Sequence, residues 1–173
     1  MEIHPANEYI LLAEAFCYPD PGRLAVLKKG LETLKTSGVK RSVAAFVDEI
    51  QRLSPGEWEE LYTRTFDLNP MAAPYIGYQT WGESYQRGAF LSKMNRELLE
   101  AGIDSQGELP DHLIPVLLYL GQARKPLPEL VEVLDPALQR MATGLRKADS
   151  SNPYLGLFEA MRILCKGLKK EPA

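Results

Sequence analysis

Asp111-His112-Leu113-Ile114-Pro115-Val116-Leu117-Leu118-Tyr119-Leu120-Gly121-Gln122-Ala123 holds the most apolar helical segment of the chain. Leu113, Ile114, Val116, Leu117, Leu118 and Leu120 leave a helix drawn through them apolar nearly all round, and such a helix is stable only when other elements enclose it. The stretch reads as the central buried helix of a bundle, from about Asp111 to Ala123, with Asp111 as N-cap and Pro115 near the first turn.

On either side, apolar residues repeat at helical spacing in segments with prolines mainly between them. Upstream, Pro5 to Tyr18 aligns Tyr9, Leu12, Ala13 and Phe16. Asp20 and Pro21 can then start a helix striped by Leu24, Leu27, Leu31 and Leu34 and ending before Gly38. Val43, Phe46, Val47 and Ile50 mark a third helix over about Lys40 to Leu53. Ser54-Pro55-Gly56-Glu57 has capping-box spacing ahead of a fourth, to about Phe66, with Trp58, Leu61 and Tyr62 inward. Glu83 to Ala101, with Phe90, Leu91, Met94 and Leu98, is a longer helix stopped by Gly102. Downstream, the stripe Leu130 to Leu145 is interrupted at Asp135-Pro136, which reads as a restart, a kinked single helix being the alternative. A last helix follows Asn152-Pro153. No alternating segment of strand length occurs. The expected architecture is all-α, one domain over residues 1–173 built from about eight short helices.

The 173 residues carry 20 Lys plus Arg against 23 Asp plus Glu, a formal charge of -3, with 45% apolar residues. This is a globular composition without the basic stripe that nucleic acid binding requires. The first 20 residues hold acids and no base, so no secretory signal is expected and the protein is placed in the cytoplasm without stable membrane insertion. Cys17 and Cys165 have no metal-ligand spacing and read as two thiols rather than a framework. The basic residues Arg162, Lys166, Lys169 and Lys170 suit the negative end of the last helix dipole.

Nucleophile elbows, zinc-protease motifs and phosphate-cradling loops are all missing, and only His4 and His112 could serve as imidazole bases. No enzyme, metal site or cofactor is expected; a catalytic site would have to be assembled from distant residues. Two features do call for an explanation. From Asp67 to Trp81 there are 15 residues with no helical or alternating pattern but with Tyr75, Tyr78 and Trp81, and loops of that length are often functional. From Glu97 to Asp111, five acids (Glu97, Glu100, Asp104, Glu108, Asp111) occur without a Lys or Arg. That run is either a solvated helix end or a docking surface for a basic ligand. The aromatic and acidic loops flank the same helix of ~19 residues, about 28 Å long, so they meet only if the chain folds back. His112, at a positive helix end, is expected as a neutral hydrogen-bonding partner.

Glu108-Leu109-Pro110-Asp111-His112 resembles the signature of the redox-enzyme maturation chaperones, the nitrate reductase delta subunit (NarJ) family and its TorD/DmsD relatives. Their pattern is a Glu, an optional residue, then Pro-Asp-His ahead of a central helix. Tyr62 to Pro70 with Thr65-Phe66-Asp67, then Tyr75 and Tyr78, Gly82-Glu83-Ser84 and Arg87-Gly88, are similar to the delta-subunit pattern. The opening helix to Tyr18-Pro19-Asp20 is similar as well. The likeness covers about residues 9–23 and 58–123. Delta subunits tend to have Tyr where this chain has His112, whereas TorD/DmsD relatives have His.

The resemblance implies an all-helical chaperone that binds the N-terminal, twin-arginine-type leader of a molybdopterin oxidoreductase catalytic subunit, either a nitrate reductase or a relative. It would hold that subunit for molybdenum cofactor insertion before export or membrane docking. Glu108, Pro110, Asp111 and His112 match the family signature, and Tyr75, Tyr78, Trp81 and Glu83 are added as aromatic and acidic neighbours suited to a basic, apolar peptide. The alternative is a helical scaffold or assembly subunit that recognises a folded partner surface without leader binding.

Overall fold

Ser54 accepts a hydrogen bond from the Glu57 N–H at 3.1 Å while the Glu57 carboxylate accepts one from the Ser54 N–H at 2.9 Å. This is the reciprocal cap that the sequence predicts, and it starts a helix in the computed structural model, which describes residues 6–168. Nine α-helices form among those residues: α1 (Ala6–Ala15), α2 (Arg23–Leu31), α3 (Ser37–Ile50), α4 (Pro55–Tyr62), α5 (Ile76–Trp81), α6 (Tyr85–Glu100), α7 (Leu113–Gln122), α8 (Pro128–Ala148) and α9 (Tyr154–Leu168). The all-α expectation holds, and the described residues contain no strand. The expected helix start at Pro5, and His4, Lys169 and Lys170, lie outside the described residues.

α7 is the enclosed helix that its composition demands, with eight of its ten residues buried. α1 packs along it, while α3 and α8 both pack against α9. The core runs continuously from Leu12 and Phe16 through Phe46, Phe66 and Leu117 to Phe158 and Met161. Polar bonds cross it as well. The Trp58 indole N–H donates to the Tyr154 hydroxyl at 3.0 Å, and the Tyr119 hydroxyl donates to Glu97 at 2.6 Å. Cys17, half-buried, and Cys165, buried, are not joined by a disulfide.

Several boundaries differ from the sequence expectation, and contacts that local rules do not contain accompany the largest of these differences. α2 starts at Arg23 rather than after Asp20, because the Arg23 guanidinium is held back on Glu14 at 2.6 Å and on the Tyr18 carbonyl at 3.0 Å. It ends at Leu31, and α3 starts early, at Ser37, because the buried Glu8 carboxylate accepts the N–H groups of Lys35 and Thr36 at 3.2 and 2.9 Å. Asp135 does not cap a restarted helix: α8 is continuous through Pro136, and the Asp135 carboxylate pairs with Arg162 of α9 at 2.9 Å. Pro136 and the residue four earlier, Glu132, are both exposed, so the hydrogen bond that proline removes is lost where water is at hand. Finally, α7 begins at Leu113 with His112 as its cap, the Nδ1 atom accepting the Ile114 N–H at 3.1 Å. Asp111 is occupied elsewhere.

The segment 67–81 is not patternless either. α4 runs on into a single π-helical turn over Thr63–Asp67, closed by Leu68 N–H to the Thr63 carbonyl at 3.0 Å. A short 3-10 turn at Pro70–Ala72 follows, then the six-residue α5.

Candidate peptide-binding site

The chain does fold back. Tyr75 and His112 form an antiparallel bridge, with Ile76 N–H donating to the Asp111 carbonyl at 2.8 Å and Leu113 N–H to the Pro74 carbonyl at 3.0 Å. The aromatic and acidic loops, 34 positions apart at Gly77 and Asp111, are thereby sewn together at the start of α7. The Asp111 carboxylate strengthens the seam by accepting the Gly77 N–H at 3.0 Å. A Cβ at residue 77 would lie 2.7 Å from the same oxygen, which explains glycine there.

Arg87, in the first turn of α6, closes this arrangement from behind. Its Nε and Nη2 atoms donate to the two Asp111 oxygens at 3.0 and 3.3 Å, a two-pronged bond of the kind guanidinium and carboxylate favour. The Tyr75 and Tyr78 rings each lie 5.6 Å from the guanidinium carbon, so the cation is held against two aromatic faces. Asp111 is fully buried and its charge matched.

In front of the clamp is a recess of about 310 Å3. Its walls are Tyr62, Phe66, Tyr75 and His112, with Pro70, Ala73 and Pro74 on one side and the acids Asp67 and Glu108 at the rim. Asp67 reaches this position through the π-helical turn. The Thr65 hydroxyl donates to the Leu61 carbonyl at 2.6 Å and accepts from the buried Asn152 amide at 2.8 Å. Back-bonding of this kind often bends a helix, and single π turns recur at functional sites.

The Tyr75 hydroxyl donates to Glu108 at 3.1 Å, and its ring meets the His112 imidazole edge-on at 5.1 Å. Burial, reinforced by the Glu108 charge, pushes the Tyr75 phenol up to about 12, so it stays a donor. Burial pushes His112 down, against the opposing pull of Glu108, Asp111 and Asp67. The imidazole is therefore held neutral, as the sequence leads one to expect, and the accepted bond at Nδ1 requires that form.

A pH dependence follows. An unfolded histidine takes up its proton near pH 6.5, before the folded His112 does, so stability falls as pH drops below that value and is unaffected above it. One proton contributes at most about 1.4 kcal/mol per pH unit. His112→Asn retains a cap acceptor but cannot titrate. The stability difference between the two proteins should be flat from about pH 9 to 7.5 and should shift against the wild type from about pH 6.5 downward. Chemical denaturation across that range measures it, and a difference that stays flat throughout would contradict the assignment.

The predicted site residues thus separate. Tyr75, Glu108 and His112 share the recess, Asp111 stands behind it, and Pro110, half-buried, precedes Asp111 in the turn closed by His112 N–H to the Leu109 carbonyl at 3.0 Å. Tyr78 covers Arg87 and faces a different groove. Trp81 packs on Phe90 at 5.1 Å, and Glu83 lies exposed over the start of α6. Neither lines the recess.

The acidic run is likewise not one surface, since Glu97 is bonded to Tyr119, Asp111 to Arg87, and Asp104 to the N–H of Gln106 at 2.9 Å. Tyr62, Phe66, Asp67 and Arg87 were not singled out from the sequence as site residues. All four fall within the stretches that carry the family resemblance, which was the available signal. Among the described residues no group of three or more His, Cys, Asp or Glu could hold a metal ion, and no helix is long and apolar enough to cross a membrane. No protein-family model and no curated protein matches this chain.

Proposed function

We propose that the protein is a non-catalytic, cytoplasmic maturation chaperone that binds the N-terminal leader of a molybdopterin oxidoreductase catalytic subunit and holds that subunit for cofactor insertion before export or membrane docking. The observation that supports this reading is the recess itself. Aromatic walls and two rim carboxylates converge where two distant loops are tied together, and a twin-arginine-type leader presents bases beside apolar residues. Carboxylates accept bidentate guanidinium bonds, while Tyr62, Phe66 and Tyr75 offer apolar contact to the adjoining residues. The Arg87–Asp111 clamp fixes the recess without spending the rim charges.

Titration calorimetry with leader peptides of the molybdoenzymes encoded in the same genome tests it. Binding of at least one leader is expected, and Glu108→Gln should weaken it by roughly tenfold to a hundredfold, the loss of one hydrogen bond to a charged group at about 1.5–3 kcal/mol. Folded protein that binds none of those leaders would refute the proposal. Equal binding of a client with and without its leader would favour a scaffold that recognises a folded surface.

A further inference from the structure

On the other side of Pro70 lies a second depression, a groove of about 580 Å3 between the Pro70–Ala72 turn, α5 and α8. Its charge has the opposite sign. Arg140 and Lys147, seven residues and so two turns apart, line one wall of α8. Both are exposed, and neither belongs to any ion pair among the described residues. No residue three or four positions from either is acidic, so the helix itself does not neutralise them.

The groove is built rather than incidental. Gly144 lets the turn settle against α8, since a Cβ there would lie 2.7 Å from the Met71 Cβ and 2.8 Å from the Met71 carbonyl oxygen. The Gln79 amide donates to the Met71 and Ala73 carbonyls at 3.3 and 3.0 Å and pins the turn from α5. Met71 is left 60% exposed, a flexible apolar contact beside Tyr78.

We infer that this groove receives an acidic stretch of the same client segment whose basic residues occupy the recess. The inference rests on the proposed leader binding and adds a polarity to it: base, then apolar residues across Pro70 and Met71, then acid. Pro70 lines both depressions, so one extended peptide can enter both. A segment carrying only bases would leave Arg140 and Lys147 facing like charge, which disfavours it.

Fluorescence anisotropy of the full chain with three labelled peptides tests this. Each has an arginine pair and a short apolar stretch, followed by a glutamate, glutamine or lysine pair. The wild type should bind the glutamate peptide about tenfold more tightly than the glutamine peptide at low salt, with the gap closing at high salt. Arg140→Glu/Lys147→Glu should abolish that preference, prefer the lysine peptide instead, and bind the glutamine peptide as the wild type does. Its thermal unfolding should stay within a few degrees of the wild type, because both side chains are exposed and the main cost is an acid in the last turn of α8 at residue 147. If both acidic and neutral peptides bind wild type equally, or if the double substitution weakens every peptide alike, the groove has no such role and the recess reading survives. If a competent leader and all three peptides fail to bind wild type, the recess reading fails and this inference with it.

Discussion

Asp111→Ala is expected to destabilise the protein by about 3–5 kcal/mol, the usual cost of removing one partner from a buried ion pair. The substitution strands the Arg87 guanidinium, 13% exposed, between two tyrosine rings, and deprives the buried Gly77 N–H of its acceptor. At roughly 2–4 °C per kcal/mol for a chain of this size, the melting temperature should fall by about 6–20 °C. Asp111→Leu/Arg87→Met removes both charges and should recover much of that loss, so a double-mutant cycle separates the pair from its surroundings. If Asp111→Ala costs less than about 1 kcal/mol, the clamp contributes nothing beyond a surface pair. Leader binding should fall with Asp111→Ala only through the loss of ordered recess, in step with stability, because the carboxylate lies behind Tyr75 and Gly77 and is already satisfied.

Asp111 also shows which statements a sequence supports. An acid just ahead of an apolar helix is by local rules an N-cap, and nothing within reach of those rules announces an arginine 24 positions earlier that arrives only through the fold. His112 takes the cap instead, so the neighbouring residue carries the role that the spacing assigned to Asp111. The same competition shifts α2 and α3, where Arg23 and Glu8 draw helix ends toward partners 9 and 27 positions away. Features that depend on adjacent residues alone were legible: the Ser54–Glu57 box and the burial of α7 stand as the pattern predicts.

α5 was illegible because six residues make fewer than two turns and so display no period. The recess was half legible for a related reason. Tyr75, Glu108 and His112 announce themselves as an aromatic loop and a signature, but Asp67 joins them at the end of a π-helical turn whose Thr65 is tied to Leu61 and, 87 positions away, to Asn152. A helical wheel drawn at 3.6 residues per turn sets Thr65 and Phe66 beside Trp58, Leu61 and Tyr62, but it shows neither the wider turn nor the recess at its end.

That register also sets the second large effect. Phe66, the fourth residue of the π turn, points its ring into an aromatic cluster, 4.9 Å from Tyr154, 5.0 Å from Tyr62, 6.1 Å from Phe16 and 6.3 Å from Phe158, mostly edge-on. Its outer edge lines the recess. Phe66→Ala should cost about 3–5 kcal/mol, the range for deleting a buried ring and leaving a cavity. Phe66→Leu keeps most of the apolar bulk without the ring and should cost about 1–2 kcal/mol, so the pair of substitutions distinguishes burial from ring geometry. Denaturant midpoints at unchanged slope measure both. A loss under about 1 kcal/mol for Phe66→Ala would mean that the cluster closes over the gap left by the ring. Stability and recognition thus meet in one ring: whatever removes Phe66 from the core also removes a wall of the recess, so Phe66→Ala protein still folded in the cold should bind leader more weakly than its stability loss alone predicts.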